Sequence, residues 1–525
     1  MRQTALLILL LVTIFSKVSG QAPGIQWQKC FGGSGNDEAQ SVKQTYDGGY
    51  VVAGWSKSSD GDITGHHDSV DIWVVRLTSS GSLIWEKSFG GTGIDVAYDI
   101  QITSDSGFII AGYSTSKDGD VTGHHGDSTA PNHGDSVYNT DCWVAKLSAS
   151  GSLEWQRSLG GSFDDVGQSV QQTIDGGYAV AGYTRSNNFD VSGNHGGYDF
   201  WLVKLSDTGG LQWQKTFGGT GYDQAFSMQQ TDDGGFMLAG SNNSNDGDVT
   251  GSHGTWDVWV VKTSSSGGLI WQKSLGGTSG EGALSIKQTM DGGYILTGST
   301  TSTDGNVAGN HSGLNDEWVV KLSDTGRIEW QKCLGGSEYE HSYAIRETTD
   351  SNFVVSGYSN SPDGDPTGNN GNGDIWVAAL SKAGTLLWQK NMGGSFNEFG
   401  YDIELTSDDG LIVVGSSGSN DGNVSGNHGT DPKTDWWVVK LNSITRVKPA
   451  VNSPISVFPN PAHDRVNVIC GQSFTYTFVN MLGETLKAGE NSSAIDIGDL
   501  TPGVYILSIT AEESNTIVKR SIVKW

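Results

Sequence analysis

Past residue 20 the chain has no long apolar run, and the whole sequence has only four cysteines and 31 lysines and arginines against 58 aspartates and glutamates. Each shortage excludes something. A helix that crosses a bilayer needs about 20 consecutive apolar residues, so no transmembrane span is expected. The deficit of cations leaves a net charge of −27, which repels phosphate backbones and anionic bilayers, so nucleic acid is not an expected partner. The cysteines do not form a disulfide framework or a zinc site. Cys30 and Cys333 fill the same slot of "WQKCFGG" and "WQKCLGG", Cys142 lies within a strand pattern and Cys470 in a different segment, so all four read as small buried thiols. A GxSxG elbow, an HExxH helix and a phosphate-binding loop are also missing, which removes the common enzyme signatures.

What is present begins with "MRQTALLILLLVTIFSKVSG". One early arginine, an apolar core over residues 5–15 and small residues before Gly20 form a secretory signal peptide, with cleavage expected after Gly20. The remainder is rich in glycine (76) and carries 18 tryptophans, which points to turn-rich all-β structure.

Tryptophan recurs in register. An "[LI]xWxK" motif holds Trp27, Trp85, Trp155, Trp213, Trp271, Trp330 and Trp388, and "DxWVVKL" and its variants hold Trp73, Trp143, Trp201, Trp259, Trp318, Trp376 and Trp437. Each unit contains four short β-prone runs. "DGG" and "SSG" or "DTG" turns mark two tight hairpins per unit. Four antiparallel strands repeated seven times predict a seven-bladed β-propeller over residues 25–441. An open solenoid would have shorter, parallel coils without paired hairpins. The series opens on a lone "IQWQK" strand and ends on "WWVVKL", so the N-terminal strand is expected to close the ring by completing the last blade. The repeated tryptophans are expected to pack between blades, and exposed ones are sought among Trp55, Trp256 and Trp436.

After a linker at 442–454, residues 455–525 change character and read as a small Ig-like β-sandwich. Pro459, Asn460 and Pro461 follow a short strand, "NMLGETL" surrounds Gly483, and "LTPGVYILSI" contains Gly503 and Tyr505. This segment resembles the type A C-terminal sorting domain of the type IX (Por) secretion system of Bacteroidetes, with Asn480 where an aspartate is common. The resemblance implies Sec export, then passage across the outer membrane by the type IX machinery, with surface attachment or release. The repeat "WQKxFGG … TxDGGYxxAG … DxWVVKL" likewise resembles a propeller repeat of such secreted proteins and implies no activity.

The long loops, such as "SSDGDITGHHDSVD", pair carboxylates around one glycine. Asp60, Asp62, Asp118, Asp120, Asp246, Asp248, Asp363 and Asp365 could supply oxygens to Ca²⁺, although the third acidic position and the bidentate glutamate of an EF-hand are absent. The other reading is structural: Asx-turns, with the loop-final aspartate (Asp71 and its equivalents) bonding amides at the strand start. One histidine per loop is expected to make a structural hydrogen bond. Departures from the repeat are the better ligand-binding candidates. They are Trp256, Arg185, and His125 and His133 in the extended loop of the second unit, all on the long-loop face. Two functions follow: a monomeric, non-catalytic surface module for a glycan or protein, or a polysaccharide-acting hydrolase or lyase on the same face.

Overall fold

The structure is a computed structural model that describes residues 21–126, 139–311, 314–429, 433–444, 456–458, 462–469, 473–480, 484–492, 494–511 and 516–524. The chain divides into two compact units, Met1–Ile444 and Thr445–Trp525. The signal peptide, His133, Cys470, Pro459, Asn460, Pro461 and Gly483 lie outside the described residues.

The first repeat shows how the sequence builds a sheet. Strands Asp37–Gln44, Tyr50–Ser56, Asp71–Leu77 and Leu83–Phe89 pair antiparallel in chain order; they are called a, b, c and d. The a–b turn closes at Gly48, whose φ of 80° favours glycine, although Ser106, Ser351 and Asp409 hold the same turn position at φ of 60–66° in other sheets. Asp47 accepts hydrogen bonds from Thr45 Oγ1 at 2.7 Å and Gly49 N at 3.1 Å, which fixes the hairpin.

This four-stranded antiparallel sheet recurs over residues 95–159, 165–217, 223–275, 281–334 and 340–392. The last sheet of the series takes Glu398–Leu405, Leu411–Ser417 and Asp435–Leu441 as a, b and c, and Ile25–Phe31 lies beside Asp435–Leu441 in the d position. The described residues contain no helix. The all-β, repeated-sheet architecture of a propeller is therefore present.

The c strands are buried along their whole length. Their tryptophans are the packing anchors expected from the repeat. Trp73 through Trp437 are at most 1% exposed, and each indole Nε1 donates to a Glu or Gln on strand d, as in Trp259 to Gln272 at 2.8 Å. Trp437 makes this bond to Gln28, also at 2.8 Å, so the N-terminal strand serves the last sheet as each d strand serves its own. One core cluster joins Phe31, Val42, Tyr50 and Trp73 to Ile412, Val414, Trp436 and Val438. Trp436 is fully buried, its ring 4.4 Å from that of Trp73. This corrects its reading as an exposed tryptophan: the second residue of strand c faces the neighbouring sheet. Trp55 and Trp256 are half-buried. Cys30, Cys142 and Cys333 are free and buried, as their repeat positions predicted.

A repeated irregularity shapes the centre. In every a strand the pairing with strand b slips by one residue, between Ala39 and Ser41 in the first sheet and at the same place in the other six. The slip leaves an extra residue on the a strand, a β-bulge. The partner is always glycine: a Cβ at Gly240 would sit 1.9 Å from Gln224 O, and one at Gly415 1.7 Å from Phe399 O. The glycine of each b strand is thus demanded by the bulge.

The second unit has one sheet of Ser456–Phe458, Arg465–Ile469 and Ala494–Asp496, and another of Thr485–Glu490, Phe474–Val479, Gly503–Ala511 and Thr516–Lys524. Val466, Phe478, Ile495, Leu507 and Ile509 form its core. The Tyr505 hydroxyl donates to Thr501 O at 2.6 Å, which secures the turn before the Gly503 strand.

Candidate ligand site

The bulges turn two successive side chains of each a strand toward one cavity. All seven a strands contribute: Gln40 and Ser41, Tyr98 and Asp99, Gln168 and Ser169, Phe226 and Ser227, Leu284 and Ser285, Tyr343 and Ala344, Tyr401 and Asp402. Two residues further along, Lys43, Gln101, Lys287 and Arg346 also line it. The a strands enter from the loops after strand d and leave at the "DGG" hairpins. The aromatic tier therefore lies toward the long-loop end and the charged tier toward the hairpin end.

The aromatic tier is continuous with rings behind it. Phe399 stacks on Tyr358 at 4.7 Å and on Tyr401 at 6.0 Å, and Tyr343 meets Tyr401 edge-on at 5.0 Å. Tyr98 packs on Tyr113 at 5.9 Å, and Tyr183 on Phe226 at 6.3 Å. Burial pushes the phenols of Tyr183 and Tyr343 up to about 12, so they stay neutral hydrogen-bonding groups at physiological pH.

The charged tier is mostly paired. Lys43 lies 3.0 Å from Asp402 and 3.7 Å from Glu404; Arg346 lies 2.7 Å from Asp402 and 3.2 Å from Glu404. Burial works against the Asp402 carboxylate, but Lys43 and Arg346 overcome it and hold its pKa at about 2. Asp99 accepts from Ser41 Oγ, Val170 N and Gln101 Nε2, each at 3.0 Å. Burial raises its pKa in spite of Lys43. Ser41 Oγ also reaches Asp402 at 3.3 Å, so one hydroxyl sits between two carboxylates whose pKa values are pushed in opposite directions. Lys287 has neither ion pair nor hydrogen bond to its ammonium among the described residues. Burial, then Arg346, pushes its pKa down to about 8.

The residues singled out by sequence lie elsewhere. Trp256 O accepts from Glu281 N at 3.0 Å, linking its loop to the next sheet. Arg185 lies 5.9 Å from the Phe163 ring. His125 Nδ1 is 2.9 Å from Asp141 and its Nε2 3.7 Å from Asp190. No contact joins these three residues to one another or to the channel among the described residues.

The loop carboxylates bond to protein amides. Asp60, Asp118, Asp246 and Asp363 accept from Ser34 N, Thr92 N, Thr220 N and Ser337 N at 2.7–2.8 Å. Asp62, Asp120 and Asp248 accept from Gly32 N, Gly90 N and Gly218 N at 3.3–3.4 Å, whereas Asp365 Oδ2 accepts no hydrogen bond and lies 3.9 Å from His311 Nε2. These bonds staple each long loop to the preceding "GG" loop. Among the described residues no three His, Cys, Asp or Glu side chains cluster as a metal would need. The loop histidines do make the structural bond expected of them, as in His195 Nδ1 to Asp199 at 2.6 Å and His428 Nδ1 to Asp435 at 2.7 Å. Asn370 replaces histidine and bonds Asp374 at 3.2 Å. The loop-final aspartate accepts this histidine's own amide, as in His253 N to Asp257 at 2.6 Å, rather than an amide at its strand start.

The channel was missed because the "DGG" and tryptophan motifs dominate the repeat. The signal lies in the a strands set side by side: "DEAQSVKQ", "DVAYDIQI", "DVGQSVQQ", "DQAFSMQQ", "EGALSIKQ", "EHSYAIRE" and "EFGYDIEL". Their first residue is always acidic, while the fourth, fifth and seventh vary in charge and aromaticity.

Comparison with known proteins adds a compartment. A regulatory protein, FlaEY, of Caulobacter vibrioides is 26% identical over 224 residues, 40% of this chain and 23% of that protein. A WD repeat-containing protein of Acanthamoeba polyphaga mimivirus is 24% identical over 199 residues, 32% of this chain and 14% of its own. The chain thus spans less than a quarter of the curated relatives it matches. Among solved structures, the extracellular domain of a hybrid two-component system from B. thetaiotaomicron aligns at 10% identity and a TM-score of 0.26, covering 93% of this chain and 68% of that one. PorZ, a surface component of the type IX secretion system of Porphyromonas gingivalis, aligns at 10% identity and a TM-score of 0.15, covering 96% of this chain and all of that one. Neither score bears on what this chain binds. Residues 456–524 match the secretion system C-terminal sorting domain, and this chain is accordingly an export substrate of type IX secretion, delivered to the cell surface or the extracellular space.

Proposed function

We propose that the seven sheets are the blades of a closed seven-bladed propeller and that the exported protein is a binding module, taking a glycan at the aromatic mouth of its central channel. The observation that carries this reading is the single cavity to which all seven a strands contribute. Ring closure is supported by the N-terminal strand in the d position of the last sheet and by the core shared between the first and last sheets. Aromatic faces stack on sugar rings, and the serines and amides below them offer a belt of hydrogen-bond partners. Binding of the full chain to a glycan array is the test: Tyr343→Ala or Tyr401→Ala should lower affinity at least tenfold, and retained affinity in both would reject the channel mouth as the site.

A hydrolytic reading is favoured by one feature. Asp99 and Asp402 flank Ser41, one carboxyl raised and the other lowered in pKa, which is the division an acid and a base require. Release of shortened oligosaccharides by the wild-type protein, lost in Asp99→Asn, would establish it over binding alone.

A further inference from the structure

We propose that the channel receives the end of a glycan chain carrying one carboxylate, and that Lys287 is the residue that pairs with it. This rests on the channel being the binding site and names the ligand class.

The argument begins with the state of each charge. Asp402 and Glu404 each meet both Lys43 and Arg346, and Asp99 is saturated by a hydroxyl, an amide and a side-chain amide. Lys287 faces the same cavity with no ion pair or hydrogen bond to its ammonium among the described residues, and feels Asp99 and Asp402 only at longer range. A half-buried ammonium that touches no anion is disfavoured, and a ligand carboxylate supplies the contact that the protein does not. The seventh residue of strand a is glutamine in three other sheets (Gln101, Gln171, Gln229), so the frame has no need of a lysine there.

The surroundings define the rest of the ligand. Ser227 Oγ accepts from Ile286 N at 3.1 Å and Ser285 Oγ from Ile345 N at 3.4 Å, which leaves each hydroxyl proton to donate. Gln40 and Gln168 add amides, and Tyr98, Phe226, Tyr343 and Tyr401 supply ring faces above. A polar belt beneath aromatic faces fits a polyhydroxylated ring better than an apolar side chain. A polyanion is disfavoured because Asp99 and Asp402 line the channel and the chain carries −27 overall. One terminal uronate on a neutral chain satisfies both conditions.

The test is calorimetry of the full chain against matched oligosaccharides, neutral or capped by a single uronate. The capped member should bind at least tenfold tighter than its neutral match. Lys287→Gln should erase that ratio, while Lys287→Arg should keep most of it. Because glutamine occupies this position in three sheets, the variant should melt with the wild type. Equal binding of the matched pair, or a ratio indifferent to Lys287→Gln, overturns the uronate assignment and leaves the channel reading intact; no binding of either member in any pair rejects both. Lys287-dependent binding of a peptide through its free C-terminus, with none of a uronate-capped glycan, would replace the glycan class.

Discussion

Oδ1 of Asp435 and Oδ2 of Asp37 converge on the Cα of Gly32: a Cβ there would lie 2.7 Å from the first and 2.6 Å from the second. Asp37 Oδ2 accepts from Gly33 N at 2.9 Å and Ser58 Oγ at 2.8 Å. Asp435 Oδ2 takes His428, while its Oδ1 is buried without a partner. The same oxygen is unpartnered in Asp71, Asp141, Asp199, Asp257, Asp316 and Asp374. Burial, with the Asp37 charge added to it, raises the pKa of Asp435.

Stability should therefore depend on pH in an unusual direction. Burial pushes Asp165 up to about 7 and Asp199 and Asp374 up to about 6. The folded state then holds protons that the unfolded chain releases above pH ~4. These groups favour folding at low pH, and their contribution is lost as pH rises through 6 to 7. Asp105 and Asp233 act oppositely. Against burial, hydrogen bonds from Thr103 and Thr231, then Lys146 and Lys262, hold them at about 2, a contribution lost as pH falls from ~4 through 2. Thermal melting from pH 2 to 9 should peak near pH 4–5; a midpoint that climbs steadily to neutral pH would refute this.

Glu317 should be replaceable at a profit in stability. It is fully buried, and neither carboxylate oxygen has a hydrogen-bond partner. Burial raises its pKa well above the usual range. The other six sheets place Ile72, Cys142, Phe200, Val258, Ile375 and Trp436 there. Glu317→Val should stabilise the protein by about 1–3 kcal/mol, read by denaturant unfolding. A loss of stability would mean that the carboxyl has work in the folded protein.

Removing residues 21–30 should be far more damaging than an ordinary terminal truncation. It takes away most of the strand paired to Asp435–Leu441 and leaves the Trp437 indole without Gln28. The melting midpoint should fall steeply or the cooperative transition disappear. An unchanged melt would count against ring closure.

Calcium should have little effect on the melt, because the loop carboxylates already accept amides from the preceding loop. A midpoint in chelator several degrees below that in millimolar Ca²⁺ would restore Asp60, Asp62, Asp118, Asp120, Asp246, Asp248, Asp363 and Asp365 as cation ligands.

The repeat was legible because its signals are local. "DGG" specifies a hairpin through Gly48 and through Gly176, Gly234 and Gly292, and apolar runs around Trp73 specify a buried strand. The staples were harder to read. Asp60 to Ser34 N and Asp435 beside Asp37 connect residues far apart in sequence, and a loop aspartate that caps an amide looks the same in sequence as one that binds a metal. The channel was least legible. Lys287 and Asp402 lie in different repeats, and the bulge that turns Ser41 and Gln40 to the same side breaks the period-two alternation on which strand reading depends.

That bulge also separates two kinds of evolutionary freedom. Without it, one face of each a strand would have to serve both the junction and the channel. With it, the channel-facing residues differ from sheet to sheet while the acidic first residue, the b-strand glycine and the tryptophans remain as they are. A new ligand would then require substitutions in the wall alone, on a scaffold already able to fold and be exported.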